Sequence, residues 1–321
     1  RAAPEKGPVG TRLDSALGVL NGLIGDHLAS TDNGLATPME LIHGGVAIPL
    51  DAAGLAGALP EATARLALLV HGSMGTESVW RPRRDADPDQ RLDYGQLLAR
   101  DLGYTPLYLR YNTGRAIPDN GAALARVLEQ LVGAYPTPLE EILFVTHSMG
   151  GLVTRSACQV ALTEGQRWLR LVRRAVYLGT PHLGSPLERW GRVLAKLLRK
   201  VDDPYTRLAA EIGDLRSDGV KDLGDADLRH QDRARRRPSA RRCNRRHPVP
   251  LPPEIKHYLV AATLASGPRL AAVVGDVLVP VPSATDGLDW APPPSNVRVF
   301  PGVGHFRLAR HPEVYTQIRS W

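Results

Sequence analysis

The 321-residue chain reads as an α/β protein with a mostly parallel central sheet flanked by helices, and three observations predict this. Short apolar runs of strand length alternate with longer segments whose apolar residues recur at helical spacing, which is the pattern of βαβ units. Hydrophobic residues make up 43% of the sequence, enough to bury a large core. No run of 18 or more apolar residues and no internal repeat breaks the alternation, so neither a spanning helix nor a solenoid is expected.

The elements follow in order. Residues 12–28 carry Leu13, Ala16, Leu17, Leu20, Ile24 and Leu28 near helical spacing, predicting an amphipathic helix within an N-terminal extension over 1–38. Met39 to Leu50 reads as an early strand or hairpin turning at Gly44-Gly45. Arg65 to Val70 is a short buried strand ending at His71-Gly72. Leu92 to Leu102 is helical and stops at Gly103, where a residue free to adopt positive φ ends a helix well. Thr105 to Tyr111 is a strand, and Asn120 to Ala134 is a helix with Leu124, Val127, Leu128 and Leu131 on one face. Ile142 to Val145 is a strand, followed by a helix from Gly150 to about Thr163. Arg174 to Leu178 is a strand running into Gly179-Thr180-Pro181-His182. Candidate helices lie near 186–200 and 203–215, strands at Ile255 to Thr263 and Val297 to Phe300, and a closing helix at His311 to Trp321.

Residues 216–253 break this pattern. They hold few large apolar residues and end in a Pro-rich run, and by composition they are an exposed, mobile insertion. The net charge of +7 is also concentrated there. Between Arg229 and His247 nine arginines face one acid, Asp232, giving +8 and leaving −1 for everything else. The basicity is local, without interleaved aromatics or a recognised module, so no nucleic-acid partner is expected. Two cysteines, Cys158 and Cys243, make no disulfide framework and fit a reducing compartment better than an oxidising one. A soluble, cytoplasmic protein is the expectation, with secretion left open because residue 1 is Arg rather than Met.

The chemistry gathers on four stretches. Val145-Thr146-His147-Ser148-Met149-Gly150-Gly151 lies between an apolar strand and a helix. In such a strand–turn–helix elbow a serine is held on a tight turn above the sheet edge, and its second neighbours on each side must be small. Thr146 and Gly150 meet that requirement. His71-Gly72-Ser73-Met74-Gly75 also follows a buried strand, and its turn offers backbone N–H groups. Acyl transfer needs two donors where the oxyanion forms, and the N–H groups of Ser73 and Met149 are the natural pair. Gly275-Asp276 places an acid after the apolar run Leu270 to Val274, and Gly302-Val303-Gly304-His305 places a histidine after the last strand. The bland reading of Ser148 is a turn serine capping the next helix; the four segments in this order favour the reactive one.

With these segments in place the sequence resembles the α/β-hydrolases of the lipase and esterase type, near the triacylglycerol-lipase-like and GPI-inositol-deacylase-like groups. The matching text is Leu68 to Ser73, Thr146 to Val153, Leu178 to Ser185, Gly275 to Pro280 and Gly304 to Tyr315, within a domain spanning 39–321. The resemblance implies Ser148 as nucleophile, His305 as general base and Asp276 as its orienting carboxylate, in the chain order this fold uses. It also implies an oxyanion hole from Ser73 and Met149, and no metal or organic cofactor. Two departures stand out: Thr146 where glycine is usual, and Val277 in place of the glycine that often follows the acid. Asp286 and Asp289 are rival acids, and His311 a rival base. His71, His147 and His182 read as packing or wall residues.

The implied activity is hydrolysis of carboxylic esters, lipid esters among them, through an acyl-enzyme. An acyltransferase or thioesterase on the same triad, or an inactive binding protein of this fold, are the alternatives. Residues 184–215 would form a small helical cap or lid. Within it Trp190, Val193, Leu194, Leu197 and Leu198 oppose Arg192, Lys196, Arg199 and Lys200. That face suits either packing on the core or peripheral contact with a lipid interface.

Overall fold

The computed structural model describes residues 8–81, 93–185, 217–233, 249, 252–264, 275–285 and 292–321. The candidate helices near 186–200 and 203–215, most of the arginine-rich run, the apolar run before Gly275, and Asp286 and Asp289 lie outside the described residues.

Eight strands form one sheet: β1 (Glu40–His43), β2 (Val46–Ala47), β3 (Arg65–Val70), β4 (Thr105–Arg110), β5 (Glu141–His147), β6 (Val172–Leu178), β7 (Lys256–Thr263) and β8 (Val297–Pro301). Their spatial order is β2-β1-β4-β3-β5-β6-β7-β8. β1 is antiparallel to β2 and β4, and every other pairing is parallel. The expected hairpin turns at Gly44 (φ 57°) and Gly45 (φ 85°), the two positive-φ positions that a two-residue hairpin demands.

The central strands carry apolar runs, Leu66–Val70 in β3 and Ile142–Val145 in β5, because both faces of the sheet are covered. On one face Leu66, Leu68, Ile142 and Phe144 pack against α2 (Ala52–Ala58), α4 (Ile117–Ala134) and α5 (Met149–Glu164). On the other, Ala67, Leu69, Leu143 and Val145 pack against α3 (Tyr94–Leu102) and the closing helix Pro312–Ser320. α3 starts where Asp93 accepts from the N–H groups of Gly95 and Gln96, and it ends at Gly103 with φ 68°. α4 begins at Ile117 rather than Asn120, with Pro118 in its first turn, where a missing N–H costs nothing.

The N-terminal helix α1 spans Pro8–Ser30. Its apolar residues enter neither sheet layer; Val19, Leu20, Leu23, Ile24 and Leu28 cluster with Met74 and Val220.

Part of the stretch expected to be an exposed insertion is instead built into the molecule. α6 (Asp218–Asp225) buries Val220 and Leu223, and Leu228 behind it is buried too. Asp222, fully buried, accepts from the Ile117 N–H at 2.8 Å and pairs with Arg233 at 3.0 Å. It thus caps α4, whose own N-cap residue, Ala116, cannot. Composition missed this because a few well-placed apolar residues and one paired carboxylate suffice to dock a two-turn helix.

Candidate active site

The strand order reverses direction between β3 and β5, and in open parallel sheets ligands bind at the carboxyl ends of strands around such a reversal. Val70 pairs with Thr146 in register, so the turns that follow the two strands, 71–75 and 147–151, emerge side by side.

At the end of β5, Ser148 is buried and held at φ 55°, ψ −126°. Its N–H donates to the Leu178 carbonyl at 2.9 Å. This conformation is strained for a residue with a side chain, and the surroundings hold it there. A Cβ on Gly150 would lie 2.5 Å from the His71 carbonyl oxygen, and one on Gly72 would lie 2.7 Å from Ser148 Cβ. Thr146 does not crowd the turn: it is fully buried, and its hydroxyl donates to the Val176 carbonyl at 3.0 Å. The Ser148 Oγ has no hydrogen-bond partner among the described residues.

The acid and the histidine meet. His305 Nδ1 lies 2.6 Å from Asp276 Oδ2, both side chains almost fully buried. The other carboxylate oxygen accepts from the N–H groups of Leu278 (3.1 Å) and Val279 (2.8 Å), which closes a tight turn. Within that turn Val277 takes φ 87°, so the departure noted in the sequence puts a β-branched residue where glycine fits best. Gly179 (φ 59°) joins the two halves of the site: a Cβ there would lie 3.1 Å from both Asp276 Oδ2 and His305 Cε1. The residue before it, Leu178, supplies the carbonyl that anchors the Ser148 N–H.

The remaining predicted residues fall around this pair. Met149 is the first residue of α5, so its N–H has no intrahelical acceptor. Ser73 is buried in the turn after β3, and the next N–H, of Met74, donates to Thr113 Oγ1 at 3.1 Å. His71 stacks on Tyr111 with ring centroids 4.5 Å apart, and burial lowers its pKa to about 4. His182, also buried, lies with Nδ1 3.2 Å from Arg155.

His147 packs against His305 and is hydrogen-bonded to it. Its Nε2 lies 3.0 Å from the His305 carbonyl, which can only accept, so that nitrogen carries the proton. The rings of His147 and His305 sit 4.7 Å apart. Burial, and secondarily the charge of His305, drive the His147 pKa well below the ordinary value. Among the described residues, no group of three His, Cys, Asp or Glu side chains could hold a metal ion. None of the described helices is long and apolar enough to cross a membrane.

A doubly covered parallel sheet, a strained serine elbow after its fifth strand and a buried acid–histidine pair beyond the seventh and eighth define an α/β-hydrolase. The chain belongs to the alpha/beta hydrolase family, whose family model matches residues 67–318. Among solved structures it is similar to the mature form of the lipase BlEst2 from Bacillus licheniformis, at 21% identity and TM-score 0.50, over 80% of this chain and 91% of that one. An esterase of Pyrococcus furiosus (14% identity, TM-score 0.43, 81% and 82% covered) and a carboxylesterase of Bacillus subtilis (15%, 0.38, 80% and 82%) are also similar. At 21% identity the likeness to the BlEst2 lipase speaks for the fold alone. No curated protein matches the chain.

Proposed function

We propose that the chain is a serine hydrolase that cleaves carboxylic esters of small molecules or lipids through an acyl-enzyme. The observation that carries this reading is the buried 2.6 Å contact of His305 with Asp276, beside Gly179, whose preceding residue anchors the N–H of the strained Ser148. In this reading His305 donates through Nδ1 to Asp276, which leaves Nε2 as the base that takes the Ser148 proton. The Ser148 oxygen attacks the acyl carbonyl, and the N–H groups of Ser73 and Met149 stabilise the oxyanion, each worth roughly 3–4 kcal/mol in comparable sites. His305 returns the proton to the leaving alcohol; water then repeats the sequence and frees the acid. Phe306, Val277 and Leu183, each 40% exposed or more, are chain neighbours of the histidine, the acid and His182, and they favour an apolar acyl group.

The test is hydrolysis of p-nitrophenyl esters of increasing acyl length by the wild type and Ser148→Ala. Activity lost in the variant, with fluorophosphonate labelling lost alongside it, is the expected result. A folded wild type that neither turns over esters nor takes the label would sink the reading in favour of an inactive binding protein. If an added alcohol diverts product from acid to ester, the enzyme is an acyltransferase.

A further inference from the structure

The family match begins at residue 67, so α1 lies outside it, yet α1 touches the site. A Cβ on Gly22 would lie 2.4 Å from Met74 Cγ and 3.0 Å from Met74 Cα. One on Gly18 would lie 3.1 Å from the carbonyl oxygens of Met74 and Gly75. The helix backbone therefore rests directly on the turn after β3. Met74 is itself a non-glycine residue at φ 59°, a conformation that persists only when its surroundings impose it. Its N–H is taken by the buried hydroxyl of Thr113 at 3.1 Å.

The clamp is anchored in turn. Asn112, next to Thr113, donates to the Gly25 carbonyl of α1 at 2.7 Å. Ser217, at the start of α6, donates to the Gly22 carbonyl at 2.7 Å. Met74 is thus held both by the Thr113 hydroxyl and by the glycine face of a helix that is pinned at two further points.

We propose that Thr113 and Gly22 are positioning residues for the oxyanion hole: by fixing Met74 they set the direction of the preceding N–H, that of Ser73. Neither touches the reacting atoms. The proposal rests on the reading of Ser73 as an oxyanion donor. Such a donor stabilises the transition state only while aimed at the developing oxyanion, and a misplacement of about 1 Å is enough to lower the rate on the order of a hundredfold.

The experiment compares the wild type with Thr113→Val, Thr113→Ser and Gly22→Ala, using p-nitrophenyl ester kinetics and amide hydrogen exchange of the 72–76 segment. Thr113→Val and Gly22→Ala are expected to lower kcat about ten- to a hundredfold with KM within about twofold, and to speed exchange at 72–76. Thr113→Ser keeps the hydroxyl and should restore both. A general loss of stability would instead lower the active fraction, which titration with the fluorophosphonate counts separately. Unchanged exchange at 72–76 in folded Thr113→Val would overturn the proposal, as would faster exchange with kcat per labelled site unaltered. A wild type inert to esters would sink the hydrolase reading and the catalytic role of the clamp with it, while exchange at 72–76 would still report whether the clamp exists.

Discussion

Two tight turns at the carboxyl edge of the sheet each hold a side-chain-bearing residue at positive φ, and they are built in opposite ways. At the elbow, Ser148 is almost fully buried, and Gly72 and Gly150 are pressed so closely that neither tolerates a Cβ. At the acid turn, Val277 is 46% exposed, and the turn closes on hydrogen bonds to one carboxylate, that of Asp276. The elbow's strain is imposed mainly by packing at Gly72 and Gly150, with one backbone hydrogen bond to Leu178. The acid turn's is imposed by a carboxylate whose other oxygen faces His305, so one side chain both closes the turn and holds the histidine. Strain held by packing is robust to the loss of any single polar group, whereas strain held by a carboxylate is not.

Four changes break or sharpen this contrast, in descending size. Asp276→Asn should lower kcat on the order of 10⁴-fold with the fold kept, because the amide disfavours the tautomer with the proton on Nδ1. Steady-state kinetics would check this, and a fall of less than about tenfold would mean that the acid lies elsewhere. Gly150→Ala attacks the elbow through packing, and urea unfolding should report about 3 kcal/mol of lost stability from the clash with the His71 and Val70 carbonyls.

Acidification acts on the elbow's foundation. Burial holds His71 and His257 at a pKa of about 4, so between about pH 6.5 and 4 the unfolded chain binds protons that the folded chain refuses. Stability should fall as pH drops through that window, on the order of 2 kcal/mol for His71 alone. His257→Gln would remove the remote share and leave that of His71 and His147; a flat stability profile from pH 7 to 4.5 would contradict this. Smallest is Val277→Gly, which relieves the exposed turn and should raise stability by about 0.5–1 kcal/mol, a Tm gain of about 1–2 °C in calorimetry.

The same contrast explains what could be read from the amino acids. The elbow was legible because packing strain leaves glycines and small residues at set offsets from Ser148, and β3 ended where His71-Gly72 said it would. The acid was not uniquely legible: three aspartates follow one another between 276 and 289, and nothing local ranks them. Among the described residues Asp276 contacts His305 at 2.6 Å, and the two rivals lie outside them. The burial of Asp222 was hidden because its partner N–H, at Ile117, lies 105 residues away. Thr113 was invisible for a related reason. A threonine after a strand carries no signal until Met74, 39 residues earlier, is folded back onto it.

The cluster of α1 with Met74 and Val220 also sets a schedule for the protein's synthesis. α1 is made before its partner: the Ser217 hydroxyl that donates to its Gly22 carbonyl is encoded 195 residues later. At ribosomal speeds of about 5–20 residues per second, roughly 10–40 s pass before that contact can form. For that interval Leu20, Leu23 and Ile24 wait without their Val220 cover, as an apolar ridge that a chaperone could hold. The seat of the Ser73 N–H is therefore completed late in translation, so a nascent chain stalled before residue 217 would carry its elbow serine without a finished site around it.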